Sequence, residues 1–325
     1  VVGVVSLIVS FFLLVIVHEA GHLLAGLWSG YRFVSFRVLN FTFVREGGRI
    51  RVKRYGIAGT GGQCLLAPPD LPLEQIPVGW YNAGGVVANL AVLLVALPLL
   101  WLDLNPFLRE FIEIFLLADV IMILVNGIPL KGLFSANDAS NLLAVKRSLE
   151  CKEALVMQLR GNAMIQEGIR LKDMPDVWFR WPATVDYSNP LEVSVPLLYA
   201  SRLLDMERWD EAYGCFDSLY SHRDELMPLY VKEIACELAF AAMATGRADR
   251  ARELLTPDLM KYIGAYSGVM SSKKRLLWAK ALYLDGDKTK ADEILTELSG
   301  KRDEFLLRGE VDSDIAVMKA LAGGM

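Results

Sequence analysis

The chain has 325 residues, enough for about two domains, and 54% of them are hydrophobic. Its formal net charge at pH 7 is only -4, which gives no electrostatic basis for nucleic acid as a partner. The four cysteines are scattered without a Cys-x-x-Cys pair, which argues against a thiolate metal site or a disulfide framework: Cys64, Cys151, Cys215 and Cys236.

The first 130 residues have the composition of a membrane protein. Residues 1–31 carry no charge outside one short motif, residues 75–102 carry none, and residues 114–130 carry only Asp119. About 20 apolar residues cross the hydrocarbon core of a bilayer. We therefore predict three transmembrane helices, over residues 2–28, 79–102 and 109–126.

The first predicted helix contains His18-Glu19-Ala20-Gly21-His22, an H-E-x-x-H motif. Residues four apart lie on one face of a helix, so both imidazoles can bind one Zn²⁺ while Glu19 projects beside them. Ionisable groups are costly inside a membrane and usually indicate a functional site. The motif thus predicts a zinc hydrolase centre with His18 and His22 as ligands and Glu19 as the catalytic residue.

A basic segment follows this helix. Between residues 32 and 54 seven Arg and Lys residues stand against Glu46 alone, and the positive-inside rule places the segment in the cytoplasm. Within a β segment covering about residues 33–67, residues 33–44 and 49–53 have the composition of a hairpin. A further short strand near the metal could pair with an extended substrate, or it could be a glycine-rich loop packed on the helices. Its central residues are Gln63, Cys64 and Leu65.

Zinc hydrolases usually take three protein ligands, and two carboxylates compete for the third position. Asp119 lies within the third predicted helix, and its place in the membrane favours it slightly. Asp138 follows a predicted helix break at residues 126–129, Asn-Gly-Ile-Pro, where the chain could return towards the metal. Asn137 or Asp138 could instead cap the next helix. In the second helix, Asn89 either forms a hydrogen bond that holds two helices together or acts as a donor near the metal.

These motifs in this order resemble the site-2 protease family of intramembrane zinc metalloproteases. The resemblance rests on the H-E-x-x-H, the glycine-rich β segment, a G-x-x-x-N pattern ending at Asn89, and an N-x-x-P pattern beginning at Asn126 and followed by an aspartate. It implies that Asp138 is the third zinc ligand. It also implies that Asn126 and Asn89 position substrate or stabilise the oxyanion, and that Gln63 to Leu65 bind substrate. The family's Asp-Gly pair is Asp138-Ala139 here, and its spacing from Asn126 is longer.

The sequence pattern of the second half of the chain predicts charged, amphipathic helices. Residues 137–190 are predicted as a helical linker region and residues 191–325 as helical repeats. Three similar segments, each between two helical stretches, place alanines 39 and 40 residues apart, at Ala212, Ala251 and Ala291. They resemble tetratricopeptide repeats with a period longer than the usual 34.

We therefore expect a mainly α fold: a polytopic membrane core over residues 1–136 with a short β segment, then a soluble α-helical repeat domain. The family resemblance implies a multi-pass endopeptidase of a bacterial plasma membrane that cleaves transmembrane or signal-peptide-like segments. The repeats would be cytoplasmic and bind a protein partner or substrate. The alternative is a proteolytically inactive membrane-anchored scaffold with a structural or lost zinc site. Glu19 counts against it, because a structural site needs no such carboxylate and closes its fourth position with protein.

Overall fold

The structure is a computed structural model that describes residues 2–56, 61–130 and 136–323. It is 70% helical, with thirteen α-helices in these residues and one small antiparallel sheet, so the predicted mainly α class is confirmed. The chain divides into two compact units. The N-terminal unit contains residues 1–52 and 56–159, and the C-terminal unit contains residues 53–55 and 160–325.

Five helices begin in the N-terminal unit. They are α1 (Val2–Trp28), α2 (Val78–Ala96), α3 (Pro106–Gly127), α4 (Asp138–Arg147) and α5 (Leu149–Glu167). Proline opens α3 in its first turn, where no backbone donor is needed, and the Asn105 side chain accepts a hydrogen bond from Leu108 N. α3 ends at Gly127, and Ile128 is extended before Pro129, as the predicted helix break required.

Two helical segments, not three, are long and apolar enough to cross a membrane among the described residues: Gly3–Trp28 and Leu73–Trp101. The third predicted span was wrong by this measure. The predicted span over residues 109–126 already contains Arg109, Glu110 and Glu113 as well as Asp119, and the three residues that α3 adds at its start carry no charge. Four charged side chains make this helix much less apolar than the other two.

The helices α1 and α2 cross at glycines. A Cβ atom built on Gly21 would lie 2.3 Å from the Gly84 carbonyl oxygen, and one on Gly84 would lie 2.5 Å from the Gly21 carbonyl oxygen. Only glycine permits this approach, which is the small-residue packing typical of helices in lipid. The close crossing brings the histidine face of α1 directly against α2.

The sheet has the strand order β3-β2-β1-β4. Its strands are β1 (Arg32–Val38), β2 (Phe41–Glu46), β3 (Arg49–Arg54) and β4 (Gly62–Ala67). β1 pairs antiparallel with both β2 and β4, with Phe36 opposite Phe43 and Cys64. Gly47 and Gly48 both have positive φ (56° and 78°), as a two-residue hairpin turn needs, and Leu39 (φ 53°) separates β1 from β2 within the predicted 33–44 segment. β4 is consequently an edge strand.

The C-terminal unit consists of paired helices around a shared core. They are α6 (Pro190–Asp205), α7 (Trp209–Ser221), α8 (Pro228–Ala244), α9 (Ala248–Leu254), α10 (Pro257–Tyr266), α11 (Ser271–Ala279), α12 (Lys288–Gly300) and α13 (Arg308–Gly323). The three similar segments each contain a turn residue with positive φ: Glu207 (62°), Gly246 (74°) and Gly286 (68°). The alanines that recur in them are fully buried, which explains why a small residue recurs there.

Candidate metal centre

Three side chains converge on one point in the N-terminal unit. His18 Nε2 lies 3.0 Å and His22 Nε2 lies 3.2 Å from the same oxygen, Asp138 Oδ2. The two Nε2 atoms are 3.2 Å apart. Ligands bound to one ion at about 2.0–2.1 Å lie about 2.8–3.0 Å from each other in octahedral geometry and about 3.3–3.4 Å in tetrahedral geometry. The three atoms are therefore spaced as the ligands of one metal ion, and this group could hold one.

The far side of each imidazole is already hydrogen-bonded. His18 Nδ1 lies 2.7 Å from Asn89 Oδ1, and His22 Nδ1 lies 2.7 Å from the backbone oxygen of Tyr81. The carbonyl oxygen of Tyr81 can only accept, so His22 carries its proton on Nδ1. A neutral imidazole in that form presents a lone pair at Nε2, which is the state that binds metal.

With neutral imidazoles and an ionised Asp138, three lone pairs face one another, so positive charge between the three atoms would stabilise the arrangement. Without a metal that charge is a proton on an imidazole: burial would raise the pKa of the Asp138 carboxyl, but hydrogen bonds from His18 and His22 outweigh it and lower the pKa to about 2. Asp138 is therefore a carboxylate near neutral pH, and a divalent cation at the convergence point would neutralise it. This donor set, two imidazoles and one carboxylate, fits zinc and also other divalent metals.

Asn137 holds Asp138 in place. Its Nδ2 donates to the backbone oxygens of Val125 (2.5 Å) and Ile128 (2.6 Å), at the end of α3. Its Oδ1 accepts from Ser140 N at 3.0 Å and so caps α4. The sequence allowed either Asn137 or Asp138 to cap α4. The cap is Asn137, and the carboxylate of Asp138 faces the histidines.

Gly85 of α2 provides the space for the ligands. A Cβ atom there would lie 2.5 Å from His18 Cε1 and 2.6 Å from the Nε2 atoms of His18 and His22. No sequence signal separates Gly85 from its neighbour Gly84, which serves helix packing. The two glycines lie on different sides of α2: Gly84 packs against the backbone of α1, and Gly85 faces the ligand histidines.

Glu19 lies beside the ligands and against β4. It is 8% exposed, and a Cβ atom at Gly62 would lie 2.5 Å from its Cγ and 2.6 Å from its Oε1. Glycine at position 62 therefore leaves room for this carboxylate next to the strand. Arg37 on β1 contributes a nearby positive charge and donates to the Gly62 carbonyl oxygen at 3.0 Å.

The predicted substrate strand is β4. Gln63 is exposed, whereas the side chains of Cys64 and Leu65 are buried. Burial raises the pKa of the Cys64 thiol, which favours its protonated form near neutral pH. Leu39 N donates to Gly61 O, and in an antiparallel pair the backbone groups of alternate residues point towards and away from the partner strand. Counting from Gly61, the backbone N–H and C=O of Cys64 point away from β1. Its carbonyl oxygen accepts from the Tyr81 hydroxyl at 2.7 Å.

The remaining candidates lie further from the convergence point. Asn126 Nδ2 donates to Met122 O of its own helix (3.1 Å), and the structure records no contact of its side chain with the ligands among the described residues. Asp119 is not grouped with the histidines. Its Oδ1 accepts instead from Asn89 Nδ2 at 2.8 Å, so it reaches His18 only through the amide.

Searches among protein-family models, curated proteins and solved structures found no match to this chain. The case for its function therefore rests on the residues and their geometry.

Proposed function

We propose that the chain is an intramembrane zinc endopeptidase of the kind that its resemblance to site-2 proteases implies. The observation that carries the proposal is the convergence of His18 Nε2, His22 Nε2 and Asp138 Oδ2 beside Glu19. The metal spacing alone fits several ions. Zinc is proposed because an H-E-x-x-H helix adds a carboxylate base to two histidine ligands.

In this mechanism His18, His22 and Asp138 would hold Zn²⁺. Zinc held there would supply a Lewis acid that polarises the scissile carbonyl and lowers the pKa of a water to about 7. Glu19 accepts the proton of the attacking water and then delivers it to the leaving amine. Its place against Gly62 keeps the carboxylate between the ligands and β4, where the peptide would lie.

A membrane setting follows from the surface of α1 and α2. α1 has 27 residues, about 40 Å, which exceeds the roughly 30 Å hydrocarbon core of a bilayer. Large apolar side chains are exposed along it, including Val4, Ile8, Phe11 and Leu24 at 51–68%. Such a surface fits lipid far better than water. The positive-inside rule then places the basic sheet, and the metal centre near it, towards the cytoplasm of a multi-pass protein, which we propose lies in a bacterial plasma membrane.

The substrate proposed is a transmembrane or signal-peptide-like segment in extended form. A helix must open before cleavage, because its backbone groups are all bonded internally. An opened segment lying beside β4 would meet the exposed Gln63 first. To pair with the Cys64 carbonyl oxygen it would have to displace the Tyr81 hydroxyl, a competition that favours segments with a free backbone donor at that point.

The test uses matched substitutions and tagged transmembrane segments expressed with the protein. We expect Glu19→Gln to abolish cleavage and to keep zinc, because the ligands are untouched, and His18→Ala to lose both. Glu113→Gln, an exposed glutamate of α3, is the control and should cleave normally. An active Glu19→Gln protein would refute the mechanism. The zinc-loaded Glu19→Gln protein can also retain its uncleaved substrate for identification.

A further inference from the structure

A chain of hydrogen bonds links the metal face to the interior of the helix layer. His18 on α1 contacts Asn89 Oδ1 at 2.7 Å, and Asn89 Nδ2 on α2 donates to Asp119 Oδ1 on α3 at 2.8 Å. Asn89 and Asp119 are both completely buried. Three different helices thus contribute one side chain each to a single line that ends at a proposed metal ligand.

The chemistry of this line gives it a direction. Asn89 turns its amide nitrogen, not its amide oxygen, towards Asp119, because Nδ2 donates to Asp119 Oδ1. The oxygen is then left to face His18, where it can only accept a proton from Nδ1. The Nδ1–H form leaves the lone pair on Nε2, which is the atom directed at the metal position. His22 needs no such device, because a backbone carbonyl oxygen already fixes its form.

We propose that Asn89 and Asp119 are positioning residues that set the tautomer and orientation of His18, and thereby the metal affinity of the centre. The proposal rests on the metal centre described under the proposed function. Asp119 Oδ2 is buried and has no hydrogen-bond partner among the described residues. Leaving one buried carboxylate oxygen without a hydrogen bond is costly, and packing alone gives no reason to keep a carboxylate there. Orienting the Asn89 amide requires only Oδ1, so a positioning role gives such a reason.

The test measures zinc affinity by chelator competition on the purified full chain in detergent. We expect Asp119→Asn and Asn89→Leu each to weaken zinc binding about 10–100-fold, the usual effect of losing a partner behind a ligand histidine. The matched control is Asn82→Leu. Asn82 is a buried amide of the same helix, and among the described residues its recorded hydrogen bond is to Val78 O of its own turn, so its loss should leave zinc affinity unchanged.

A double substitution separates positioning from packing. With Asn89→Asp and Asp119→Asn together, the new amide donates to the new carboxylate, which still accepts from His18 Nδ1. The direction of the line is restored, so the double variant should bind zinc within about threefold of the wild type, far better than either Asp119→Asn or Asn89→Asp alone. A purely structural role predicts that zinc affinity falls only in variants whose thermal stability also falls, so thermal unfolding is measured on the same variants.

Each outcome has a clear reading. If Asp119→Asn binds zinc as tightly as the wild type, or if the double variant is no better than the single variants, the positioning proposal is wrong while the metal centre stands. If the wild type binds no zinc, the proposed function itself fails and this inference fails with it. Helical circular dichroism identifies any single variant that is unfolded; a folded double variant is then compared with the wild type, and zinc binding more than about threefold weaker than in the wild type overturns the proposal.

Discussion

Glycine at positions 62 and 85 leaves the volume that the reactive side chains occupy. A methyl group at position 85 would overlap the two ligand nitrogens, and one at position 62 would overlap Glu19. These two contacts differ in kind from those at Gly21 and Gly84, whose nearest atoms are backbone carbonyl oxygens. At the scale of single residues, the site therefore depends on having glycine, which has no side chain, at positions 62 and 85 as much as on the ligands.

The first residue-scale prediction concerns Gly85→Ala. Because the added methyl would lie about 2.5 Å from ring atoms of His18, we expect the variant to lose zinc binding while α2 still forms, since alanine favours helix. Gly79→Ala in the same helix is the control, because its nearest neighbour would be Leu142 Cδ1 at 4.0 Å. Zinc titration of both variants is the measurement, and tight zinc binding by Gly85→Ala would contradict the described geometry.

Helical spacing was enough to predict that His18 and His22 face the same point. The third ligand could not be chosen from residue chemistry, since Asp119 and Asp138 are both carboxylates near α3. Packing separates them: Asn89 lies between Asp119 and the histidines, whereas Asp138 Oδ2 contacts both rings. The assignment of Asp138 as a zinc ligand stays a prediction until metal is measured.

At the scale of elements, the break between α3 and α4 decides where Asp138 lies. α3 must stop before Pro129, and α4 starts only at Asp138, so the intervening chain needs an anchor. Asn137 supplies it by bonding the last carbonyl groups of α3 and capping α4 at once. Residues 131–135 lie outside the described residues.

The element-scale prediction compares two helix caps. Asn137→Ala should cost about 0.5–2 kcal/mol of stability through the lost cap, and should also weaken zinc binding because Asp138 loses its anchor. Asn105→Ala removes the similar cap of α3, far along the helix from Asp138, and should cost stability alone. Thermal unfolding and zinc titration of the two variants separate the effects. Equal zinc affinity in both would show that Asn137 does not position Asp138.

Local signals predicted helix ends and turns better than membrane spans. Pro129 and the Gly47-Gly48 pair act through their own backbone preferences, so the break and the hairpin could be predicted. The third span was wrong for another reason: it was assigned from the apolar stretch of residues 114–130, whereas the helix that carries this stretch also contains Arg109, Glu110 and Glu113 near its start. Strand order also depends on non-local pairing, and the edge position of β4 became visible only in the sheet.

At the scale of the whole molecule, the C-terminal unit contains buried charge that its core must neutralise. Arg275 on α11 bonds Asp314 on α13 at 2.8 Å, contacts Glu237 on α8, and lies over the ring of Phe240. The guanidinium thus joins three helices. Its neighbour Lys273 is also fully buried and donates to Glu233 at 2.7 Å.

We predict that Arg275→Met destabilises the C-terminal unit by about 3–5 kcal/mol, because it leaves buried carboxylates without their partner. Zinc affinity should not change, since every residue of the candidate metal centre belongs to the N-terminal unit. Arg208→Met, which breaks an exposed pair with Glu211, is the control and should have little effect on unfolding. Calorimetry would show the difference, and unchanged unfolding of Arg275→Met would contradict the role assigned to these ion pairs.

The helical class of the chain and the turns between its paired helices followed from composition and from the recurring small residue. The buried ion pairs did not, because Arg275, Asp314 and Glu237 are far apart in sequence and each has the pattern of a solvated helix residue. The partner of the repeats stays a prediction for the same reason: a helical face gives no chemistry specific to one protein.

The most direct test of the central claim is the zinc content of the purified chain and of its Asp138→Ala variant, measured by elemental analysis after removal of loosely bound metal. We predict one zinc per wild-type chain and a loss of nearly all of it in Asp138→Ala, with Glu19→Gln keeping a full equivalent. A full equivalent of zinc in Asp138→Ala would contradict the account.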